Sequence, residues 1–219
     1  VLGVLALAAV PAGAHDSLAP PRARHILLPQ EDWSAYHWSP FDEMRLVRLL
    51  GITHRRLYDW QAGDHQTPAQ LAGARVVGVE TVEFLDHRDG VIENSVGLRR
   101  EITRAIRTHR PQVLITGNYD VKMFGGMTNQ ADHRAVGLAT LDAARDAGNR
   151  WIFPELISDE GLEPWGGIRC ILVGGSATPT HGVDVTGEPL RLGIESLRAH
   201  AQYTTGLGRA SFDPAPFLT

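Results

Sequence analysis

Asp132 and His133 are the two residues whose chemistry is most informative in this chain. They stand side by side at the start of an amphipathic segment, 133–147, after a glycine-rich loop, 124–128. An imidazole at a helix start that faces a cleft can bind a divalent metal ion, and a neighbouring carboxylate can orient it or move protons. A simpler interpretation is that Asp132 caps the helix and His133 is solvated. The spacing alone leaves both interpretations open.

The composition limits which ligands such a site could use. The chain has 219 residues, enough for one α/β domain with a full core. The formal net charge of −4 gives no reason to expect nucleic acid as a partner. The single Cys170 excludes an internal disulfide framework and a cysteine-rich zinc site, so any metal must bind His, Asp or Glu. Lys122 is the only lysine among 21 basic residues, a bias typical of a GC-rich bacterial gene.

The apolar beginning of the chain has two interpretations. Residues 12–14, Ala-Gly-Ala, resemble the end of a signal peptide, but no basic segment precedes the apolar run. The run is also shorter than the ~20 residues of a membrane span. We therefore favour a buried first strand over residues 1–6. We expect a cytoplasmic rather than a secreted protein, with no membrane partner.

Strand-like and helix-like segments alternate from residue 73 onward, and they must position the Asp132-His133 pair. We predict strands at 82–85, 113–116, 168–173 and 183–185 and helices at 41–60, 96–106, 133–147 and 190–201. This alternation predicts an α/β domain, a mostly parallel sheet with helices on both faces. In such sheets ligands bind beyond the carboxyl ends of the strands, and the loop after Thr116 lies there.

The second half of the chain resembles the LmbE-like, or PIG-L, family of zinc-dependent N-deacetylases. Four stretches carry the likeness in the family's order, namely Val77–Leu85 with Asp89-Gly90, Leu98–Ile102 leading into Arg110–Thr116, Asp132–Gly137 and Pro179–Thr186. The resemblance, over residues 73–205, implies a single Rossmann-like domain with one Zn²⁺ per chain. It also implies hydrolysis of an N-acyl group, usually the acetyl group of an amino sugar such as N-acetylglucosamine. The partner would be this small sugar-like substrate, and a homo-oligomer is compatible.

The resemblance implies roles for individual residues, because zinc activates a water molecule and polarises the amide carbonyl. His133 matches the second histidine ligand, and Asp132 matches the carboxylate before it, with an orienting or electrostatic role. Gln130 replaces the first histidine of the family's His-Pro-Asp-His motif, which helps to stabilise the oxyanion. A neutral glutamine can still donate a hydrogen bond there. His181 resembles a histidine near the site in some members, and a strand-edge histidine is its alternative interpretation.

Two further residues are substrate-binding candidates by the same resemblance. Asp89 matches the Asp-Gly turn of the family, and its alternative is a carboxylate that only serves a tight turn. Asn129 precedes the family's second motif directly.

One departure from the family concerns the metal site. The first family motif, His-Pro-Asp-Asp, supplies two zinc ligands and the base, and should begin at Leu7. The chain instead reads Leu7–Val10, and His15 and Asp16 are the nearest substitutes. Residues 7–72 are either divergent, with the site lost or rebuilt, or read out of frame until about Gly73. Two functions follow, a zinc-dependent N-deacetylase, or a catalytically impaired pseudoenzyme or binding module of the same fold.

Overall fold

The computed structural model describes residues 4–8, 54–58, 66–85, 87–88, 90–201 and 213–218, with backbone alone at 4–8, 54–58, 66–69 and 217–218. The strands are β1 (Val4–Ala8), β2 (His54–Tyr58), β3 (Thr81–Leu85), β4 (Val113–Gly117) and β5 (Cys170–Gly174). The helices are α1 (Gln66–Val76), α2 (Val96–His109), α3 (Ala131–Ala147), α4 (Glu155–Ser158), α5 (Glu188–Arg198) and α6 (Ala215–Leu218), with a 3₁₀ turn at Phe124–Gly126. Within these ranges no helix is long and apolar enough to cross a membrane.

The five strands form one sheet in the order β3-β2-β1-β4-β5. β2 is parallel to β3 and β4 is parallel to β5, whereas β1 is antiparallel to both β2 and β4. The α/β class predicted from the sequence is confirmed. The sheet is nevertheless mixed, because its central strand runs against the other four.

Most predicted helices and strands of the second half are confirmed within a few residues. Two predictions are wrong, one in each half of the chain. Residues 183–185 form no strand, since the Asp184 carboxylate accepts a hydrogen bond from the Thr186 backbone N–H at 2.9 Å, a turn contact. Of the helix predicted at 41–60, only residues 54–58 are described, and they form β2, which pairs with β1 on one side and β3 on the other. Pairing with two strands overrides the helical spacing of the apolar residues there.

Consecutive residues of β4 belong to two separate hydrophobic clusters, as the alternation of side chains along a strand requires. Leu114 packs with the apolar residues of α2 and α3, among them Ile102 and Val136. Ile115 packs instead with Ala74 of α1 and Leu192 of α5. β4 is therefore the strand on which both clusters are built.

The pair α2 and α3 makes the larger of these clusters. Ser95 caps α2 with its hydroxyl, which accepts a hydrogen bond from the Leu98 backbone N–H at 3.1 Å, and Arg110 ends the helix in a left-handed conformation before Pro111. On α3, alanines at four-residue spacing are buried, which lets the backbones of the two helices approach closely. These alanines are Ala135, Ala139, Ala143 and Ala147. The packing fixes α3, and with it the start of that helix, against the end of β4.

Candidate active site

His133 lies in the first turn of α3, beyond the carboxyl end of β4, where the sequence predicts the ligand site. Its side chain is partly buried, and its Nδ1 lies 2.9 Å from Oδ1 of Asn129. Desolvation by burial lowers the pKa of His133 below its usual value, and the charge of Asp132 partly opposes this shift. The imidazole is therefore neutral at neutral pH, the form in which histidine binds metals or takes up protons.

Asp132 is buried, with 3% of its surface exposed, and holds a second loop against α3. Its carboxylate accepts hydrogen bonds from the backbone N–H groups of Gly90 and Ile92, the latter at 3.1 Å. The helix-cap interpretation is therefore wrong, because Gln130 occupies the N-cap position and the Asp132 carboxylate bonds outside its own helix. The carboxylate ties the loop that follows β3 to the helix that carries His133.

Replacing Asp132 by asparagine tests this tie. Asparagine keeps one acceptor oxygen but places an amide NH₂ against one of the two backbone N–H groups. We expect the free energy of unfolding to fall by about 1–3 kcal/mol, the usual cost of a buried donor without a partner. Urea denaturation followed by circular dichroism measures the change. An unchanged midpoint would show that this carboxylate does not anchor the 90–92 loop.

Asn129 is almost completely buried, with 1% of its surface exposed. Its Nδ2 donates to the backbone carbonyls of Asn118 and Asp120 at 2.6 and 2.9 Å, and its Oδ1 faces His133. Each polar atom of its side chain therefore contacts protein, and the substrate-binding role of Asn129 stays a prediction.

Asn118 closes the base of the same loop, and sequence reasoning missed it. Its Nδ2 donates to the carbonyls of Lys122 and Gly175 at 2.8 and 3.1 Å, and its Oδ1 accepts from the Asp120 N–H at 2.9 Å. The one available signal was its position, directly after β4, where side chains of such sheets meet ligands.

The residues between these two asparagines form a short hairpin, 121–129. The Asn129 N–H donates to the Val121 carbonyl at 2.9 Å, and the Met123 N–H donates to the Met127 carbonyl at 3.0 Å. The Phe124 N–H reaches the Gly175 carbonyl at 3.3 Å, so the hairpin is also fixed to the loop after β5. The segment that leads into His133 is thus held at its base and near its tip.

The other predicted site residues do not join this arrangement. Gln130 is exposed and its side chain makes no capping hydrogen bond. His181 is exposed, outside any strand, and its Nδ1 lies 2.8 Å from the Thr180 hydroxyl, so the strand-edge interpretation is wrong. Asp89, His15 and Asp16 lie outside the described residues.

Because β1 is antiparallel to β4, the last residues of β1 lie at the end of the sheet where β4 begins. Ala8 pairs with Val113 at the start of β4, and Ala6 pairs with Ile115. β1 therefore finishes at the end of the sheet opposite to His133. The expectation that residues 7–10 lie at the site of the missing family motif is not met for Leu7 and Ala8.

His133 suits a metal ion, but the described residues do not complete a coordination shell. A ring whose Nδ1 is held by an oxygen acceptor presents Nε2, the arrangement usual for a metal-bound histidine. Zinc sites with activated water need three protein ligands. In the parts of the chain that the structure describes, no group of three or more His, Cys, Asp or Glu side chains could hold an ion. The described residues thus fit one ligand and not the set.

Comparison with known proteins gives both a family and a fold. Residues 51–144 match the family described as PIG-L, GlcNAc-PI de-N-acetylase. No curated protein is similar enough to count as a match.

Two solved structures have folds similar to that of this chain. The N,N'-diacetylchitobiose deacetylase from Pyrococcus horikoshii, complexed with its inhibitor MPG, has a TM-score of 0.63 and 17% identity, over 82% of this chain and 69% of that protein. A conserved protein from Thermus thermophilus has a TM-score of 0.55 and 14% identity, over 78% of this chain and 76% of that protein. The matched segment contains β2 to β4 and His133, so the chain carries a PIG-L family domain at residues 51–144.

Proposed function

We propose that the protein is a zinc-dependent hydrolase that removes the N-acetyl group from an amino sugar or a related small metabolite. The observation that carries the proposal is the partly buried His133, held through Nδ1 beyond the end of β4, within the family segment. The deacetylase from Pyrococcus horikoshii, which shares the fold, supports the reaction class.

The residues around His133 have separate roles in this proposal. His133 is a zinc ligand through Nε2, and Asp132 holds the 90–92 loop beside it. Gln130, exposed at the beginning of α3, donates a hydrogen bond to the oxygen of the scissile amide. The positive end of the α3 dipole supports negative charge at the same place. His181 and Asp89 are proposed contacts of the substrate and its leaving group.

At least one of the remaining zinc ligands must therefore come from outside the described residues, and His15 and Asp16 stay candidates. Because the His-Pro-Asp-Asp motif occurs nowhere in the sequence, we also propose an alternative, a catalytically impaired member of the family that binds a sugar-like ligand without hydrolysing it. We also propose that the protein forms a homo-oligomer.

Acetate release separates the two proposed functions. Purified protein, supplied with Zn²⁺, is incubated with N-acetylglucosamine and with N,N'-diacetylchitobiose, and acetate is measured enzymatically. The hydrolase proposal predicts acetate release that His133→Ala reduces by at least about 100-fold, because the ion would lose a ligand.

His109→Ala is the matched control for this assay. His109 lies at the end of α2, just before β4 begins, and its Nε2 is 2.6 Å from Glu83. This variant should keep its activity, since His109 lies at the end of the sheet opposite to His133. If the wild-type protein binds either sugar but releases no acetate from it, the result would favour the catalytically impaired family member.

A further inference from the structure

We propose that Asn129 is a positioning residue that holds His133 in the tautomer with hydrogen on Nδ1, leaving Nε2 bare. The inference deepens the proposed function, because it concerns the same histidine. The tautomer of His133 can be measured without metal or substrate.

The orientation of the Asn129 amide is set by its neighbours. The nitrogen and oxygen of an asparagine amide are assigned from the hydrogen-bond network. Nδ2 has two acceptors, the carbonyls of Asn118 and Asp120, at 2.6 and 2.9 Å. A flipped amide would place its oxygen against both carbonyls, so Oδ1 must be the atom that faces His133.

The orientation of this amide then determines the proton on the ring. Oδ1 is an acceptor only, and it lies 2.9 Å from Nδ1 of His133. A bare Nδ1 would set two lone pairs against each other beside an almost completely buried amide. The neutral ring must therefore donate from Nδ1, which leaves the lone pair on Nε2.

The backbone around Asn129 holds this geometry in place. The Arg134 guanidinium donates to the Asn129 carbonyl at 2.5 Å, and the Asn129 N–H is bonded to the Val121 carbonyl. Asn118 fixes one of the two carbonyl acceptors through its own three side-chain hydrogen bonds. The tautomer thus depends on the closed base of the 121–129 hairpin.

Nitrogen-15 NMR of the histidine rings tests the proposal on the metal-free protein, at a pH where His133 is neutral. In the wild-type protein we expect Nδ1 of His133 to have the shift of a protonated nitrogen and Nε2 that of a bare one. A wild-type His133 protonated on Nε2 would overturn the proposal, and this measurement needs no variant.

Two substitutions at the same position separate positioning from stability. Asn129→Leu removes the acceptor, and we expect loss of the single tautomer, with Nε2–H populated. Asn129→Asp keeps an acceptor for Nδ1–H but faces two carbonyls, so it should unfold more easily and still retain the tautomer. Asn94→Leu, the same change at an exposed position, should alter neither property. An unchanged tautomer in Asn129→Leu would overturn the assignment to Asn129.

Zinc affinity gives a second readout that depends on the proposed function. If His133 binds Zn²⁺, Asn129→Leu should weaken binding roughly 10- to 100-fold, the usual effect of losing such a partner. A wild-type protein that has the predicted tautomer but binds no Zn²⁺ would contradict the proposed hydrolase and leave the positioning role intact.

Discussion

Replacing Arg107 by methionine is expected to lower the free energy of unfolding by about 3–5 kcal/mol, because several hydrogen bonds from one buried charged donor, each worth about 1.5–3 kcal/mol, are lost together. Arg107 lies on α2 with 2% of its surface exposed. Burial lowers the pKa of its guanidinium, and the nearby Asp146 carboxylate partly opposes this shift. Arginine remains charged at neutral pH in any case.

The reason for the large effect is the number of carbonyls that this one side chain satisfies. The guanidinium donates at 2.9–3.3 Å to the backbone carbonyls of Asp146, Ala147, Asn149, Ile152 and Phe153. The last carbonyls of α3 have no partner within their helix, and Phe153 has a positive φ of 51° in the turn that follows. Methionine fills a similar volume but donates nothing. The Ile152 carbonyl would lose its donor, and the other four carbonyls would each keep a backbone N–H donor.

Urea denaturation monitored by circular dichroism measures this change, with Arg104→Met as the control. Arg104 is on the same helix and pairs with Glu160 at 2.6 Å near the surface. A surface ion pair of this kind contributes only about 0–1 kcal/mol. Equal losses from the two variants would show that Arg107 does not organise the turn after α3.

Replacing Gly137 by alanine is expected to destabilise the protein by about 1–3 kcal/mol, although alanine favours helices. A Cβ at this position would lie 2.9 Å from the Gly117 carbonyl oxygen and 2.9 Å from Cβ of Tyr119. The former is backbone at the end of β4 and cannot rotate away. α3 would have to move from the strand, and His133, one turn earlier on the same helix, would move with it.

Gly97→Ala is the matched control for this substitution. Gly97 lies in α2, and its added Cβ would meet only the Ser95 hydroxyl, at 3.6 Å. The same chemical change should therefore stabilise the protein here, by up to about 1 kcal/mol from helix propensity. Thermal unfolding measures both, and opposite signs are predicted. A stabilising Gly137→Ala would contradict the close approach of α3 to β4.

Local patterns were sufficient to predict most helices and strands of the second half. The spacing of Leu98, Ile102 and Ile106 indicated α2, and the apolar run at 113–116 indicated β4. The rule that ligands bind beyond strand ends placed His133 correctly. These signals are local in sequence, and the packing of α2 on α3 agrees with them.

The features that sequence reasoning missed depend on contacts between distant residues. The reversed direction of β1 arises from pairing with β2 and β4, which no periodicity encodes. Asn118 and Asn129 are eleven residues apart, and only the folded hairpin brings them together. The anchoring of the 90–92 loop by Asp132 spans about forty residues in the same way. Site chemistry built from such contacts requires the three-dimensional structure.

The zinc content of the purified protein tests most directly the claim that His133 belongs to a metal-dependent deacetylase site. The protein is prepared in zinc-replete medium, desalted and measured by elemental analysis, beside His133→Ala and His109→Ala. We predict about one zinc ion per chain in the wild type and in His109→Ala, and loss of the ion in His133→Ala, because one of three protein ligands would be missing. A wild-type protein without zinc, or a His133→Ala variant that retains it, would contradict this account.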